Sequence, residues 1–265
     1  MSHMKLDISG PERDHYADAV RSLLAGELPS GWQWVDSSAN SFVARQLEPR
    51  PAYYKEFLSR SSFEGIKSLL RGSRCQRAIL KGKILRQRGF HSPLVYCWGK
   101  RGNRHFMITQ GIDGLAAGDY MSNYWQQPLS GAEILAKRRL ITILGKKIGE
   151  LHKNGIYHGD LRVNNILIQE SADDIIFYFL DNERNGLFSN IPRRLIRKNL
   201  VQLNMIQSPY VSGQDRLRFF QAYCEAYGGL NSTEELALLR RVQQRTAERL
   251  AKKAEKEKRA GQANI

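Results

Sequence analysis

Residues 131 to 181 contain three successive patterns that constrain the fold more than any other part of the chain. Ile and Leu at helical spacing over 131–155 predict a long amphipathic helix. The polar stretch 158–165 follows, and then come two short runs rich in β-branched and aromatic residues, the second ending at Asp181. The polar stretch is therefore either a turn between buried elements or a device that handles phosphate and metal.

The first 110 residues have a different pattern, with several predicted strands and a helix. In chain order the predicted elements are two strands in 31–47 around a polar loop at 36–40, a third strand in 52–58, a helix in 73–90 with Gly89 at its end, and a hairpin in 92–110 that turns at 99–103. After residues 111–114 the predicted elements are mostly helices. This change predicts an α+β fold of two lobes with a cleft between them.

The predicted domain organisation has three parts. Residues 1–110 form a β-rich N-terminal lobe with a leading segment, whose first four residues, MSHM, are typical of a cloning remnant. Residues 111–238 form a larger helical C-terminal lobe. Residues 239–265 form a basic helix or a disordered tail.

The formal net charge of the chain is +15, and the excess is concentrated in two places. Residues 65–112 contain eleven Lys or Arg and no Asp or Glu, whereas residues 240–259 contain nine basic residues and three Glu. Such fields favour anionic partners, among them nucleotides, acidic sugars, anionic lipids and nucleic acids. Charge alone does not distinguish these partners.

The cysteines and the hydropathy of the chain indicate the cellular compartment in which the protein is expected. The three cysteines, Cys75, Cys97 and Cys224, are widely separated and odd in number, which predicts reduced thiols in a cytosolic protein. The sequence has no apolar run approaching 18 residues and no signal-peptide pattern at its start. We therefore expect a cytoplasmic protein.

The polar stretch has the residues that phosphoryl transfer from ATP requires. Such a site needs a cation for the phosphates, an Asp and an Asn for magnesium, and a carboxylate that orients the incoming hydroxyl. The kinase catalytic loop has the form H-x-D-L-x-x-x-N, which this chain matches from His158 to Asn165. Asp181 closes a strand about twenty residues later, and Lys55 lies on the third predicted strand, as the kinase pattern requires.

These residues resemble the protein-kinase-like superfamily, and other segments resemble the lipopolysaccharide kinases within it. The similar segments are 53–74, the sequence LDNER at 180–184 in place of D-F-G, and 193–223. The resemblance extends from the third strand to about residue 227. Members of this branch phosphorylate Kdo or heptose of the lipopolysaccharide inner core, so the resemblance implies a two-lobed kinase fold with ATP in the cleft.

The resemblance also implies a role for each matched residue. Asp160 would orient the acceptor hydroxyl and accept its proton, and Arg162 would lie near the transferred phosphate. Asn165 and Asp181 would hold Mg²⁺, which prefers oxygen ligands. Lys55 would pair with the α- and β-phosphates of ATP. His158 is expected to support the loop rather than to transfer protons.

The phosphate-covering loop departs from the kinase pattern. Residues 36–41, DSSANS, stand in place of a glycine-rich loop. Ser38 and Asn40 are therefore expected to cover the phosphates, with Gln110 as a further nucleotide contact.

Two further departures concern charged partners. The helix in 73–90 has no Glu to pair with Lys55, and Glu64 is the nearest candidate. Asn199 stands where a kinase often has an Asp that braces the catalytic loop. An inactive pseudokinase therefore stays open as an alternative.

The expected partners follow from the resemblance and the charge. They are ATP, Mg²⁺ and lipopolysaccharide or a lipid A-core precursor, with no specific nucleic acid. Residues 240–259 are expected to make peripheral contact with the anionic inner membrane of a Gram-negative bacterium. Two alternatives stay open: a small-molecule kinase of the aminoglycoside or choline type, and a basic nucleic-acid-binding module, which would leave the kinase motifs to coincidence.

Overall fold

The computed structural model describes residues 6–37, 40–58, 72–171, 174–207 and 209–262, and the chain divides into two compact units. The first unit comprises Met1–Gly114 together with Tyr178–Arg184, and the second comprises Leu115–Phe177 and Asn185–Ile265. The first stretch of the first unit ends at Gly114, and the sequence pattern divides the chain after residue 110. Segment Tyr178–Arg184 belongs to the first unit, although the sequence pattern places it in the second lobe.

The first unit is built on one antiparallel sheet. Its strands are β1 (Leu6–Ser9), β2 (Trp32–Val35), β3 (Ser41–Gln46), β4 (Ala52–Phe57), β5 (Val95–Arg101) and β6 (Arg104–Gln110). Their order in the sheet is β1-β5-β6-β4-β3-β2. The strands predicted in 31–47 and 52–58 are confirmed, and β4, which bears Lys55, has a hydrogen-bonded neighbour on both sides.

Helix α1 (Arg13–Ala25) and strand β1 lie in the leading segment, where the sequence predicts no element. The buried residues of α1 recur at helical spacing and belong to the core beneath the sheet; they are Tyr16, Val20, Leu23 and Leu24. This helical spacing is the feature of the sequence from which α1 could have been predicted. No side chain caps the first turn of α1, so the usual sequence marker of a helix start is missing.

The helix predicted in 73–90 is confirmed as α2 (Arg74–Gln87). Ser73 caps its N-terminus in a capping box with Gln76, and Gly89 adopts a φ of 79° just beyond its end. Helix α2 packs against the 3₁₀ turn Asn182–Arg184. This packing brings the start of α2 to the residues that follow Asp181.

Strands β5 and β6 confirm the predicted hairpin, but its turn is shorter than predicted. The turn is Gly102–Asn103, and Gly99 lies inside β5 opposite Ile8. A Cβ at Gly99 would lie 1.9 Å from the carbonyl oxygen of Asp7. Gly99 therefore permits the close approach of β1, which was itself not predicted.

The second unit is mostly helical. Its elements are β7 (Leu115–Ala116), α3 (Ala117–Tyr124), α4 (Gly131–Lys153), β8 (Ile156–Tyr157), β9 (Ile166–Glu170), β10 (Ile175–Phe179), β11 (Gly186–Leu187), α5 (Arg193–Asn204), α6 (Gly213–Tyr227) and α7 (Ser232–Gln262). The last two residues of β10 belong to the first unit. The long amphipathic helix predicted over 131–155 is confirmed as α4.

Two glycines set the packing of α4 against α6. A Cβ at Gly145 would lie 2.5 Å from the carbonyl oxygen of Phe219, and a Cβ at Gly149 would lie 2.5 Å from that of Tyr223. Any larger residue at either position would push the helices apart. The close packing holds the end of α4, which leads into the polar stretch, against the middle of α6.

Helix α7 runs without a break through residue 239, where the sequence analysis predicts that the basic C-terminal segment begins. Val242 and Thr246 are buried, and the Asn204 side chain on α5 donates a hydrogen bond to Thr246 Oγ1 at 3.0 Å. From residue 251 to residue 260 every side chain is exposed. The packed part of α7 thus extends beyond the predicted boundary.

Within the described ranges, no helix combines the length and the apolar character that crossing a membrane would need.

Candidate functional site

The structure brings Lys55 and Asp181 together within the first unit. The Lys55 ammonium forms an ion pair with Asp181 Oδ1 and lies 5.6 Å from the centre of the Phe57 ring. The Lys55 side chain is 21% exposed and that of Asp181 is 47% exposed. The pair is therefore accessible to a ligand, and each partner can exchange the other for a phosphate or a cation.

Asp181 has an unusual backbone conformation. Its φ of 54° lies in the left-handed region, and no other non-glycine residue in the described part of the chain has a positive φ. Asp and Asn tolerate this region better than most residues, but it still costs free energy, and such strain concentrates at functional sites. The conformation turns the chain directly after β10.

A buried ion pair near Asp181 has its positive charge on the helix, where the kinase pattern has a negative one. In place of a Glu on the helix, α2 contributes Arg74, whose Nε lies 3.0 Å from a carboxylate oxygen of Glu183. Both side chains are less than a tenth exposed. Glu183 lies in the LDNER segment, but its ion pair with Arg74 was not predicted. Glu64, the predicted partner of Lys55, lies outside the described residues.

The residues predicted to cover the nucleotide have other contacts in the structure. The carbonyl oxygen of Asn40 accepts a hydrogen bond from Arg74 at 3.1 Å. The Gln110 side chain accepts one from the Leu94 backbone N–H at 3.3 Å. Ser38 lies outside the described residues. The nucleotide contacts of all three predicted residues stay predictions.

In the second unit the Asp160 carboxylate is held by two donors on one oxygen. Its Oδ1 accepts hydrogen bonds from Arg162 Nε at 3.0 Å and from Gln202 Nε2 at 2.9 Å. The side chain is about one third exposed. Because Oδ1 is occupied twice, Oδ2 is the oxygen that can meet an incoming hydroxyl. Arg162 was predicted near the site, whereas Gln202 was missed because no motif includes it.

Asn165 is oriented by the same loop. Its Nδ2 donates a hydrogen bond to the Asp160 carbonyl oxygen at 2.8 Å, which leaves Oδ1 as the atom for a cation. The side-chain oxygens of Asn165 in the second unit and of Asp181 in the first are both of the hard kind that Mg²⁺ prefers, and their binding of one ion stays a prediction. The described residues hold no group of three or more His, Cys, Asp or Glu that could bind a metal.

Asn199 braces the loop with both ends of its amide. Its Oδ1 accepts a hydrogen bond from the His158 backbone N–H at 3.2 Å, and its Nδ2 donates one to the His158 carbonyl oxygen at 2.6 Å. The His158 ring accepts a hydrogen bond from the Asp160 N–H at 3.2 Å and is fully buried. Asn199 and His158 therefore stabilise the conformation of the loop that contains Asp160.

The fold is similar to that of known phosphotransferases. A solved structure described as WaaP in complex with acyl carrier protein matches with a TM-score of 0.61 at 17% identity, covering 92% of this chain and 99% of that chain. The aminoglycoside phosphotransferase APH(3'')-Id from Streptomyces rimosus matches with a TM-score of 0.50 at 14% identity, covering 88% and 98%. The predicted α+β, protein-kinase-like fold is confirmed.

The chain belongs to the lipopolysaccharide kinase (Kdo/WaaP) family, whose model matches residues 89–223, just over half of the chain. The matched segment includes Asp160, Asn165, Asp181 and Gln202. A curated relative, the lipopolysaccharide core heptose(I) kinase WaaP of Pseudomonas aeruginosa, is 23% identical over 149 residues. That match covers 52% of this chain and 55% of the relative, so the chain spans about half the length of the curated relative.

Proposed function

We propose that this protein is an ATP- and magnesium-dependent kinase that phosphorylates a sugar hydroxyl, of Kdo or heptose, in the lipopolysaccharide inner core. The observation that supports this most is the Asp160 carboxylate. It lies in the segment that matches the family, and two donors hold one oxygen while the other stays available. This is the arrangement expected of a group that orients a hydroxyl and accepts its proton.

Each residue then has a defined task. Asp160 takes the proton of the sugar hydroxyl as the hydroxyl oxygen forms a bond to the γ-phosphorus. The bond from that phosphorus to the β,γ-bridging oxygen breaks, and ADP is released. Arg162 lies beside Asp160 and can balance negative charge on the transferred group. Lys55 exchanges Asp181 for the phosphates of ATP. Magnesium held by Asn165 and Asp181 would neutralise charge on those phosphates.

The charge of the chain supports an anionic acceptor. The net charge of +15 favours a sugar that bears a carboxylate or phosphate, and disfavours a cationic aminoglycoside or choline. Phosphate transfer from γ-labelled ATP to Kdo-lipid A, heptosylated core, an aminoglycoside and a generic protein tests this directly. We expect label on a lipopolysaccharide acceptor alone. Label on the aminoglycoside alone would support the other kinase class instead.

A nucleotide-binding assay separates an ATP-binding protein from the nucleic-acid-binding module without a kinase reaction, and the transfer assay then separates a kinase from a pseudokinase. ATP with magnesium is expected to raise the thermal midpoint of the protein, because a ligand that binds only the native state stabilises it. A shift without transfer to any acceptor would favour a pseudokinase. No shift, together with one from nucleic acid, would favour the nucleic-acid-binding module.

We also propose that an acylated carrier protein is a partner. The second unit contains a cavity of about 340 Å³ with a mainly apolar lining that includes Trp125, Ile141, Leu200 and Phe220. A cavity of this character suits an acyl chain, and the WaaP protein noted above was solved with acyl carrier protein. Filling the cavity by Ile141→Trp should abolish preferential binding of acylated over unacylated carrier protein, whereas Leu236→Trp on an exposed position should not.

The exposed end of α7 supports peripheral membrane contact. Residues 251–260 are all exposed, and basic residues outnumber acidic ones there. Apolar residues are too few for insertion, so contact with an anionic surface would be electrostatic and reversible.

A further inference from the structure

Five polar side chains of the second unit form a continuous line of hydrogen bonds that ends on Asp160. Tyr223 Oη lies 3.0 Å from His152 Nδ1, and His152 Nε2 lies 3.1 Å from Asn199 Oδ1. Asn199 Nδ2 then donates to Gln202 Oε1 at 3.0 Å, and Gln202 Nε2 donates to Asp160 Oδ1 at 2.9 Å. The line links α6, the end of α4, α5 and the catalytic loop.

Every bond in this line has a defined direction. The amide oxygen Oδ1 of Asn199 can only accept, so His152 Nε2 must donate to it. Burial lowers the pKa of His152 to about 4, so the ring is neutral at physiological pH and has a single N–H. His152 Nδ1 must therefore accept the hydrogen bond from the Tyr223 hydroxyl. All four bonds donate toward Asp160, which is the arrangement in which hydrogen bonds polarise one another.

We propose that Gln202 is a positioning residue for phosphotransfer, and that the line of hydrogen bonds from Tyr223 fixes the direction in which its amide points. This inference rests on the proposed kinase function. If the Gln202 amide were reversed, its oxygen would face the Asp160 carboxylate and its nitrogen would face the Asn199 nitrogen. Gln202 Oε1 also accepts from the Leu161 N–H at 3.4 Å, which opposes the reversal.

Asn199 is the residue that makes this direction possible. An Asp at this position could accept from His158 and His152, as a bracing Asp does, but it has no N–H to donate. The His158 carbonyl oxygen and Gln202 Oε1 would each lose the hydrogen bond that Asn199 donates, and Gln202 Oε1 would keep the one from the Leu161 N–H. The Asn that departs from the kinase pattern therefore supplies from α5 two hydrogen bonds that an Asp could not donate.

The close packing of α4 against α6 brings Tyr223 within hydrogen-bonding distance of His152. Gly149 allows the Tyr223 backbone to approach α4, and His152 lies one helical turn after Gly149. Tyr223 and His152 are both buried, so solvent does not compete for their hydrogen bond.

The first test is a kinetic comparison of Gln202→Met with Gln221→Met. Met has similar length and cannot donate to Asp160, and Gln221 is an exposed residue of α6 that provides the same substitution at a neutral place. We expect Gln202→Met to lower kcat by about 10- to 100-fold with the KM for ATP unchanged, since a misplaced reacting group costs rate rather than nucleotide binding. Gln221→Met should leave both constants unchanged.

The second test reads the direction of the line in the unmodified protein, whether or not it transfers phosphate. Nitrogen-15 NMR of labelled histidine should show His152 as the neutral tautomer with hydrogen on Nε2. The opposite tautomer would overturn the direction assigned here. An active wild type with an unchanged kcat in Gln202→Met would overturn the positioning role alone, whereas a wild type that phosphorylates no acceptor would overturn the proposed function with it.

Discussion

The two units hold their functional side chains in different ways. In the first unit Lys55 and Asp181 form an ion pair that is partly exposed, on a strand and on a left-handed turn. In the second unit Asp160 pairs with the exposed Arg162 and is also held by a line of neutral groups, of which Tyr223, His152 and Asn199 are buried. The first group depends on an ion pair, whereas the second adds a buried line of directed hydrogen bonds to its ion pair.

This difference matches the two tasks of a phosphotransfer site. An ion pair near solvent contributes little to stability and can be exchanged at small cost when a nucleotide and its cation arrive. A buried network of neutral groups is costly to disturb and defines one geometry. Under the proposed function, the group that binds the nucleotide is thus adaptable, whereas the group that meets the hydroxyl is rigid.

The largest expected effect is that of Asp160→Asn. The substitution removes the proposed proton acceptor and should lower kcat by about 10²- to 10⁴-fold, with ATP affinity nearly unchanged. Steady-state kinetics with varied ATP measure both quantities. Asp174→Asn, an exposed carboxyl of the same unit, is the matched control and should behave as wild type.

Glu183→Gln tests the buried charge in the first unit. It leaves the Arg74 guanidinium without its anion in a place less than a tenth exposed, so the free energy of unfolding should fall by about 3–5 kcal/mol. Chemical denaturation measures this loss. A loss below about 1 kcal/mol would mean that Arg74 finds water or another partner.

The buried His152 predicts a pH dependence of stability in the second unit. Its native pKa of about 4 lies below the ordinary value of about 6.5, so the unfolded chain binds the proton first as the pH falls. Stability should therefore decrease from about pH 6.5 to pH 4, by up to about 3 kcal/mol. In His152→Gln the part of this stability loss that comes from His152 should disappear. Denaturation curves measured between about pH 6.5 and pH 4 for both proteins test this.

The smallest effect concerns the exposed end of α7. Val242 and Thr246 are buried, so a deletion should start after Leu250, where no packed side chain is lost before residue 260. We expect weaker sedimentation with anionic vesicles, most clearly at low salt, because screening is weak there. Turnover on a delipidated core sugar should not change. Vesicle binding that survives the deletion would place the membrane contact elsewhere on the chain.

Local signals were sufficient to predict the strands around Lys55, helix α2, helix α4 and the loop of Asp160. Each has periodicity, a cap or a motif within a short stretch of sequence. Helix α1 was missed since its apolar spacing comes without a capping residue.

The partners that complete the site could not be predicted, because they are far apart in sequence. Gln202 lies 42 residues from Asp160, and Glu183 lies 109 residues from Arg74. Asn199 was noticed only as a departure from a motif. Its function depends on which atoms face each end of its amide, and no sequence spacing specifies that.

The most direct test of the division between the two units is magnesium-dependent ATP binding by wild type, Asp160→Asn and Asp181→Asn, measured by calorimetry. Asn tolerates the left-handed conformation at residue 181, so Asp181→Asn removes charge with little change to the backbone. We predict that Asp181→Asn weakens binding of the magnesium–ATP complex by about tenfold or more, while Asp160→Asn binds as wild type does. Equal weakening in both variants, or in neither, would contradict the assignment of the nucleotide to the first group and of the hydroxyl to the second.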